Sequence, residues 1–329
     1  MKIYITGAEG FIGSHLVEHL CNHNHKVTAL VLYNFKNSIG WLKYIDKKVI
    51  KKINIVHGDV RDLGFLKKST KSHDIIVNLS ALIGIPYSYH AVKSYIDTNV
   101  IGCHNLLECV KENKIKKLIH TSTSEVYGSA QKIPINEKHP ISAQSPYAAS
   151  KVAADHLCLS YYKSFNSPVT ILRPFNTFGP RQSNRAIIPV IINQLLNKKK
   201  FIKLGNIKPT RDLSYVADTV EAFRLALNKK DILGEIINIG SGREISIENL
   251  IKLIMNITGE QKKIIIDKVR VRPNKSEVKR LFASNEKAKK LLNWKPRYIG
   301  KDGFKIALKE TIRWYIRNKQ KFSNTNYII

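Results

Sequence analysis

The chain has 329 residues, 43% of them hydrophobic and 24% charged, which is ordinary for a globular protein with one large core or two lobes sharing a cleft. No apolar run reaches the ~18 residues that a membrane helix needs, and the first residues lack the pattern of a signal peptide, so we expect a cytoplasmic protein. The net charge of +30 raises the question of a nucleic-acid or membrane partner, but the lysines are dispersed and lack interleaved aromatic residues, so we expect neither.

The N-terminal stretch predicts a strand, a glycine turn and a helix. Lys2 to Thr6 has the character of a buried parallel strand, and the sequence GAEGFIG follows it. In such a turn the glycines permit the sharp bend, the approach of a pyrophosphate and close packing, while the helix N-terminus faces the anion. The cofactor-binding residues predicted here are Gly7, Gly10, Phe11, Ile12 and Gly13.

The alternation of strand and helix patterns continues along the first half of the chain. Strand-like runs lie at residues 26–32, 53–57, 74–79, 117–121 and 169–172. They predict an α/β fold of the Rossmann type, a doubly wound parallel sheet covered on both faces. Ligands bind at the carboxyl ends of such strands, so Gly7, Asp59, Ser80 with Ala81, and residues 121–125 should line one crevice.

The end of the second strand bears on the choice of cofactor. A dinucleotide fold usually places an acid there to bind the adenosine ribose, but this chain has Tyr33 and Asn34. With no carboxylate to repel a 2′-phosphate, Lys36, Asn37 and Ser38 could bind one. NADP is therefore as plausible as NAD, and we expect the cofactor to be tightly bound.

The pattern changes after Leu172, where Pro- and Gly-punctuated loops alternate with short helices. We predict a dinucleotide-binding domain over residues 1–172, to which about 214–238 also belong, and a smaller, mixed substrate-binding lobe over residues 173–329 that closes over the crevice. Helices are expected at 186–197, 216–228, 245–257 and 286–292. The Asn/Ser-rich tail 322–329 is expected to fray.

The four cysteines give no metal signal. Cys21, Cys103, Cys109 and Cys158 are scattered without the spacing of metal ligands. In a chain of this size we expect free or buried thiols in a reducing compartment, and no metal site.

The candidate catalytic residues lie in TSTSEVYG, Thr121 to Gly128, and in Tyr147 and Lys151 downstream. A lysine four residues after a tyrosine shares its helix face. Its ammonium group should lower the pKa of the phenol, and a phenolate is a usable base for a sugar hydroxyl.

With these motifs placed, the chain resembles the extended short-chain dehydrogenases/reductases that act on nucleotide sugars. The marks are GAEGFIG, GDV at 58–60, Tyr147 with Lys151, RPFNTFGPRQ at 173–182 and TRDLSYVAD at 210–218. Thr123 with Glu125 before VYG resembles 4,6-dehydratases and UDP-glucuronate decarboxylases, whereas epimerases usually have a small residue at Glu125. The segments 31–42, 85–100 and 272–283 are similar to NDP-N-acetylglucosamine 4,6-dehydratases of legionaminic acid biosynthesis, a route to cell-surface glycans.

The resemblance implies roles for the catalytic residues. Tyr147 takes the O4 proton, Thr123 hydrogen-bonds O4, and Lys151 holds the nicotinamide ribose. Glu125 is the expected base for the C5 proton, before water leaves from C6. Asp59 and Val60 resemble the adenine-binding pair of the family.

Ser124 departs from the hexose 4,6-dehydratases, which place an aspartic acid there to protonate the leaving hydroxyl. Serine is a poor acid, so either Ser124 relays a proton through water or Glu125 serves as both base and acid. A Ser-Glu pair also resembles decarboxylases, which makes UDP-glucuronate decarboxylation the rival activity, with 4-epimerisation behind it. A basic nucleic-acid-binding protein on an inert dinucleotide fold is the alternative from another class.

On the substrate side, the resemblance implies diphosphate contacts from Asn176, Arg211 and Arg272, with Arg181 less firmly supported. It places Ser88 near the sugar. It favours GDP as the nucleotide, with UDP next.

The resemblance also implies a homodimer. Helices at about 94–113 and 147–165 should pair across a two-fold axis as a four-helix bundle. Their apolar residues at helical spacing are consistent with this, although packing on the sheet explains them equally well; they are Leu106, Leu107, Val110, Val152, Leu157 and Leu159.

Overall fold

A computed structural model describes residues 1–198 and 200–318. The tail predicted to fray, 322–329, lies outside the described residues. No described helix is long and apolar enough to cross a membrane.

The central sheet confirms the predicted fold class. Its strand order is β11-β6-β5-β4-β1-β2-β3, and every neighbouring pair is parallel. The strand order changes direction between β1 and β4, so the connections that follow these two strands lead to opposite faces of the sheet and leave a crevice for a ligand. The strands of this sheet are β1 Lys2–Thr6, β2 Lys26–Leu32, β3 Asn54–Gly58, β4 Ile75–Asn78, β5 Lys117–Thr121, β6 Val169–Pro174 and β11 Ile236–Ile239.

Helices cover both faces of the sheet, as a parallel sheet buried on both sides requires. One hydrophobic cluster packs α1 and α9 against one face, and a second packs α3, α6 and α7 against the other. The longer helices are α1 Phe11–Asn22, α3 Leu63–Ser69, α6 Gly102–Glu112, α7 Pro146–Phe165, α8 Ile187–Leu195, α9 Val216–Leu227, α10 Ile247–Thr258, α11 Glu286–Leu292 and α12 Gly300–Arg317; single turns are α2 Lys47–Ile50, α4 Ile85–Ser88 and α5 Val92–Tyr95.

The helix predicted over 94–113 is interrupted. A π-helical segment, Ile96–Ile101, joins α5 to α6, and such bulges occur mostly at functional sites. It positions Asn99, a buried residue whose side chain turns toward the end of β4 and toward α7.

The chain after β6 is irregular, as predicted, and forms small two-stranded sheets beside the large one. They pair β7 with β10, β9 with β12 and β8 with β13. One segment of this later part belongs to the large sheet, where β11 pairs with β6. The strands are β7 Asn176–Phe178, β8 Phe201–Leu204, β9 Thr210–Arg211, β10 Leu213–Tyr215, β12 Ile245–Ser246 and β13 Lys263–Ile266. The division into two functional domains stays a prediction.

Candidate active site

The glycine turn has the close packing that its sequence predicts. Gly7 has φ +63°, and a Cβ there would lie 2.9 Å from the Leu79 carbonyl carbon. A Cβ on Gly13 would lie 2.2 Å from the Gly7 oxygen, so only glycine fits. The first helix begins at Phe11 with no side-chain cap and no acidic residue in its first turn. The amide groups of Phe11, Ile12 and Gly13 therefore belong to a helix terminus suited to a phosphate.

A carboxylate does lie at the end of β2, contrary to the expectation from the sequence. It comes from Glu9, inside the glycine turn, whose Oε1 accepts from the Leu32 amide at 2.9 Å. Its Oε2 is buried without a hydrogen-bond partner, and burial raises the pKa of the group. The signal was the acid between Gly7 and Gly10, to which the sequence analysis gave no role.

The segment after β2 is organised by its own side chains. Asn34 Nδ2 donates to the Leu32 and Ser38 carbonyl oxygens, and its Oδ1 accepts from the Ser38 amide, each at 2.9 Å. Tyr33 is 74% exposed, and the Lys36 ammonium lies over the neighbouring Phe35 ring. The turn thus presents an aromatic ring and a cation to solvent.

Further along the carboxyl edge of the sheet, Asp59 is engaged by Arg61. The guanidinium and amide of Arg61 donate to this carboxylate, and the ion pair lowers the pKa of Asp59. Val60 is buried and its carbonyl accepts from Asn105. Ser80 follows β4 and donates its amide to Thr6 Oγ1 at 3.1 Å, next to Ala81.

The catalytic candidates come together where β5 ends. Thr123 caps a 3₁₀ turn, Ser124–Tyr127, by accepting from the Glu125 amide at 3.2 Å. The catalytic helix α7 begins beside it, with Pro146 at its first position and Ser145 Oγ accepting from the Ala148 amide. Thr123, Ser124, Glu125, Tyr147 and Lys151 are all buried.

The electrostatics of Tyr147 correct one expectation. Burial raises the pKa of its phenol above the ordinary value, the Thr123 hydroxyl opposes this by hydrogen bonding, and the Glu125 charge adds to it. Burial likewise lowers the pKa of Lys151, although the charge of Asp155 opposes that shift. Desolvation therefore outweighs the effect expected of Lys151, and the chain alone keeps Tyr147 protonated at neutral pH.

A buried ion pair between Asp155 and Arg173 lies next to these residues. Asp155, one turn beyond Lys151, accepts from the Arg173 guanidinium and from the Ser122 hydroxyl. Arg173 also donates to the Tyr127 hydroxyl at 2.9 Å. The network connects β5, β6 and α7, and so fixes the helix that carries Tyr147 and Lys151.

Asn99 is a site residue that sequence reasoning missed. Its Nδ2 donates to Ser150 Oγ at 2.9 Å and to the Leu82 oxygen at 3.0 Å, and its Oδ1 accepts from the Leu82 amide. It therefore fastens the loop after β4 to the catalytic helix. The sequence around Asn99 has the pattern of an ordinary helix, so periodicity alone could not identify this residue as part of the site.

The structure brings two of the predicted diphosphate ligands together. Arg211 Nη2 lies 3.4 Å from Glu277 Oε1, and Arg272 Nη1 lies 4.0 Å from the same oxygen. Burial lowers the pKa of Arg211, and the negative charge of Glu125 opposes that shift. Asn176 Oδ1 and Arg272 Nη1 are buried without hydrogen-bond partners, as atoms that await a ligand are.

Two other substrate candidates point elsewhere. Arg181 is bound to Glu18 and His15 on α1, and its backbone has φ +66°. The structure therefore does not bring Arg181 to Arg211 and Arg272. Ser88 Oγ donates to the Ile85 oxygen at 2.7 Å and is fully buried, so its hydroxyl is engaged within its own turn.

The fold and the Thr-Glu-Tyr-Lys set define a site of the short-chain dehydrogenase/reductase type. The family model described as GDP-mannose 4,6 dehydratase matches residues 4–306, and the chain belongs to this family of enzymes. The prediction of an enzyme related to nucleotide-sugar 4,6-dehydratases is thereby confirmed.

Individual relatives include dehydratases and an epimerase. The chain is 38% identical to a dTDP-D-glucose 4,6-dehydratase of Dictyostelium discoideum over 78% of this chain and 62% of that protein, less than two thirds of its length. It is 32% identical to a putative UDP-glucose 4-epimerase of Methanocaldococcus jannaschii over 97% of this chain and 99% of that one. The solved structure of dTDP-glucose 4,6-dehydratase from Bacillus anthracis in complex with NAD superposes with a TM-score of 0.86, at 29% identity, over 99% of this chain and 100% of that one.

Proposed function

We propose that the protein is an NDP-N-acetylglucosamine 4,6-dehydratase, with GDP-N-acetylglucosamine the favoured substrate and UDP-N-acetylglucosamine the next. The observation that carries the elimination step is Glu125, a buried carboxylate close enough to Tyr147 and Arg211 to affect the pKa of both. Family membership supports nucleotide-sugar chemistry, and the segments resembling the legionaminic acid enzymes support the acetamido sugar.

The residues of the glycine turn fit a dinucleotide, since a Cβ at Gly7 or Gly13 would collide with backbone atoms. When bound, a nicotinamide dinucleotide supplies reversible oxidation and reduction at carbon. Phe11, Ile12 and Gly13 would hold its pyrophosphate at the helix terminus, and Lys151 would hold the ribose next to the nicotinamide.

In the proposed mechanism, Tyr147 removes the proton from O4 while Thr123 hydrogen-bonds that oxygen. Because burial raises the pKa of Tyr147, the phenolate needs positive charge beside it, which the Lys151 ammonium and a bound oxidised nicotinamide would supply. The 4-keto group makes the C5 proton acidic, and the Glu125 carboxylate removes it. Water then leaves from C6. The hydride that left C4 would return to C6 and a proton would return to C5, so the product is a 4-keto-6-deoxy sugar nucleotide and the bound nicotinamide would end in the oxidation state in which it began.

The proton for the leaving C6 hydroxyl comes from Glu125 in this proposal. Ser124 is 2% exposed and its hydroxyl cannot act as an acid near neutral pH. Once Glu125 has accepted the C5 proton, it is the protonated carboxyl group nearest the reaction. A single carboxyl group thus serves as base and then as acid.

Glu9 favours NAD over NADP. Its carboxylate lies where the adenosine ribose acid of a dinucleotide fold is expected. A 2′-phosphate brought there would meet a negative charge, whereas ribose hydroxyls can donate to it.

The test is parallel incubation of the purified protein with GDP-N-acetylglucosamine, UDP-N-acetylglucosamine and UDP-glucuronate, followed by mass spectrometry. Loss of one water from an acetylglucosamine nucleotide is the expected result. Loss of carbon dioxide from UDP-glucuronate would instead establish decarboxylation, and an unchanged mass with altered sugar stereochemistry would establish epimerisation.

A further inference from the structure

Behind the catalytic helix, three potential metal ligands from three different elements meet in the core. They are Cys103 on α6, His120 on β5 and Cys158 on α7, and their ligand atoms all lie within 4.8 Å of one another. All three side chains are buried. Among residues 1–198 and 200–318, this is the one group of three or more such side chains that is so close.

The distances fit a tetrahedral ion. Cys103 Sγ lies 3.5 Å from Cys158 Sγ and 3.6 Å from His120 Nδ1. Zinc bonds of about 2.3 Å to sulfur and about 2.0 Å to nitrogen require ligand separations of roughly 3.6–3.8 Å at tetrahedral angles. The two separations that involve Cys103 Sγ therefore match a zinc site to within a few tenths of an ångström, and the Cys158 and His120 ligand atoms lie within 4.8 Å of each other.

The surroundings of His120 provide a second, independent observation. His120 Nε2 and Asp155 Oδ1 are buried without hydrogen-bond partners, and they lie 3.6 Å apart. A carboxylate facing the far nitrogen of an imidazole is the usual outer contact of a metal-bound histidine. A metal on Nδ1 would strengthen the Nε2–H donor and draw these two atoms into the bond that they lack.

The tautomer needed for metal binding is already favoured. Asn78 Nδ2 lies 3.2 Å from His120 Nδ1, and an amide donor at that distance requires a lone pair on Nδ1 and the proton on Nε2. The ion would take the place of this single donor.

We propose that Cys103, His120 and Cys158 bind Zn²⁺. Thiolate and imidazole donors exclude Mg²⁺ and Ca²⁺, which prefer oxygen. Two thiolates and one Zn²⁺ sum to zero charge, which lowers the cost of burial, whereas Cu(I) with two thiolates leaves a net negative charge.

This proposal departs from the sequence-based expectation of no metal site, which stays untested. His120 and Cys158 lie 17 and 55 residues after Cys103, so the short spacing of a metal-binding motif could not reveal the three residues. An ion here would connect β5, α6 and α7, and so hold the helix that carries Tyr147 and Lys151 against the sheet.

The first experiment measures metals in wild-type protein purified without chelator from zinc-supplemented cells and, separately, after refolding with Zn²⁺. About one zinc per chain is expected. Zinc-free protein from both preparations would overturn the proposal, and so would one copper per chain. Neither result depends on a variant that might fail to fold.

The second experiment assigns the ligands. Cobalt replaces zinc, and thiolate coordination gives a charge-transfer absorption in the near ultraviolet. This band should disappear in Cys103→Ser and Cys158→Ser but persist in Cys109→Ser, a buried cysteine on the same helix outside the cluster. Equal bands in all three variants, or a Cys103–Cys158 disulfide in freshly purified protein, would overturn the assignment.

Discussion

In the proposed mechanism, Glu125 decides whether the sugar is only oxidised or also loses water. In Glu125→Gln the amide cannot accept the C5 proton, whereas Tyr147 can still remove the O4 proton. We expect water loss to fall about 10²–10⁴-fold, while oxidation at C4 still reduces bound cofactor in a single turnover. Absorbance at the reduced nicotinamide band together with product mass measures both steps. Full turnover by this variant would remove Glu125 from the mechanism.

Tyr147 predicts the direction of the pH dependence. The active form is the phenolate, and burial raises the pKa of the group above its ordinary value. The rate must therefore rise as pH rises through the neutral range, about tenfold per unit while the tyrosine limits it. Measuring kcat/KM from about pH 6 to 9 tests this, with Tyr147→Phe as the inactive control. A rate that falls over this range would contradict a tyrosinate base.

Glu9 predicts the cofactor preference. Glu9→Gln keeps the acceptor for the Leu32 amide but removes the charge. We expect the ratio of the NADP to the NAD dissociation constant to fall by about tenfold, since one charge near a phosphate is worth roughly 1–2 kcal/mol at a partly buried site. Titration calorimetry on cofactor-free protein measures the two dissociation constants. Glu18→Gln, which removes a carboxylate from helix α1, is the control. An unchanged ratio would mean that Glu9 only braces the turn.

At the scale of elements, α7 carries the catalytic pair and depends on its first turn. Ser145 Oγ accepts from the Ala148 amide at 3.1 Å, and Pro146 fits the first position because no amide is needed there. Ser145→Ala should lower the free energy of unfolding by about 1 kcal/mol. Urea titration measures this, and Ser164→Ala, exposed near the other end of the helix, is the control. Equal effects in both variants would contradict a capping role.

The sequence predicted elements best where periodicity is undisturbed. The second strand was predicted at 26–32 and the eleventh helix at 286–292, and both bounds agree with the structure. The prediction of one helix over 94–113 missed the π-helical segment within it, because one extra residue in a turn leaves the spacing of the apolar residues nearly unchanged. The sequence analysis gave Glu9 no role and did not foresee the contacts of Arg181 with α1, because contacts between distant segments depend on the fold and not on residue type.

Across the whole molecule, the predicted dimer must use a different face from the one first considered. Leu106, Leu107 and Val110 are buried under the sheet within one chain, so ordinary packing accounts for them. The outward faces of the two helices instead carry Ile101 and a row of residues at helical spacing on α7. The row consists of Ala149, Ala153, His156 and Ser160. All four side chains are exposed in the single chain.

Small side chains at positions 149 and 153 let a second helix approach closely, so this face suits an isologous helix pair. Ala153→Arg puts two like charges near the two-fold axis and should convert the dimer to monomer. Sedimentation velocity at several concentrations measures this, with Lys163→Glu, exposed near the end of the same helix, as the control for a charge change. A wild-type protein that sediments as a monomer, or an Ala153→Arg variant that stays dimeric, would show that the helices pair elsewhere or not at all.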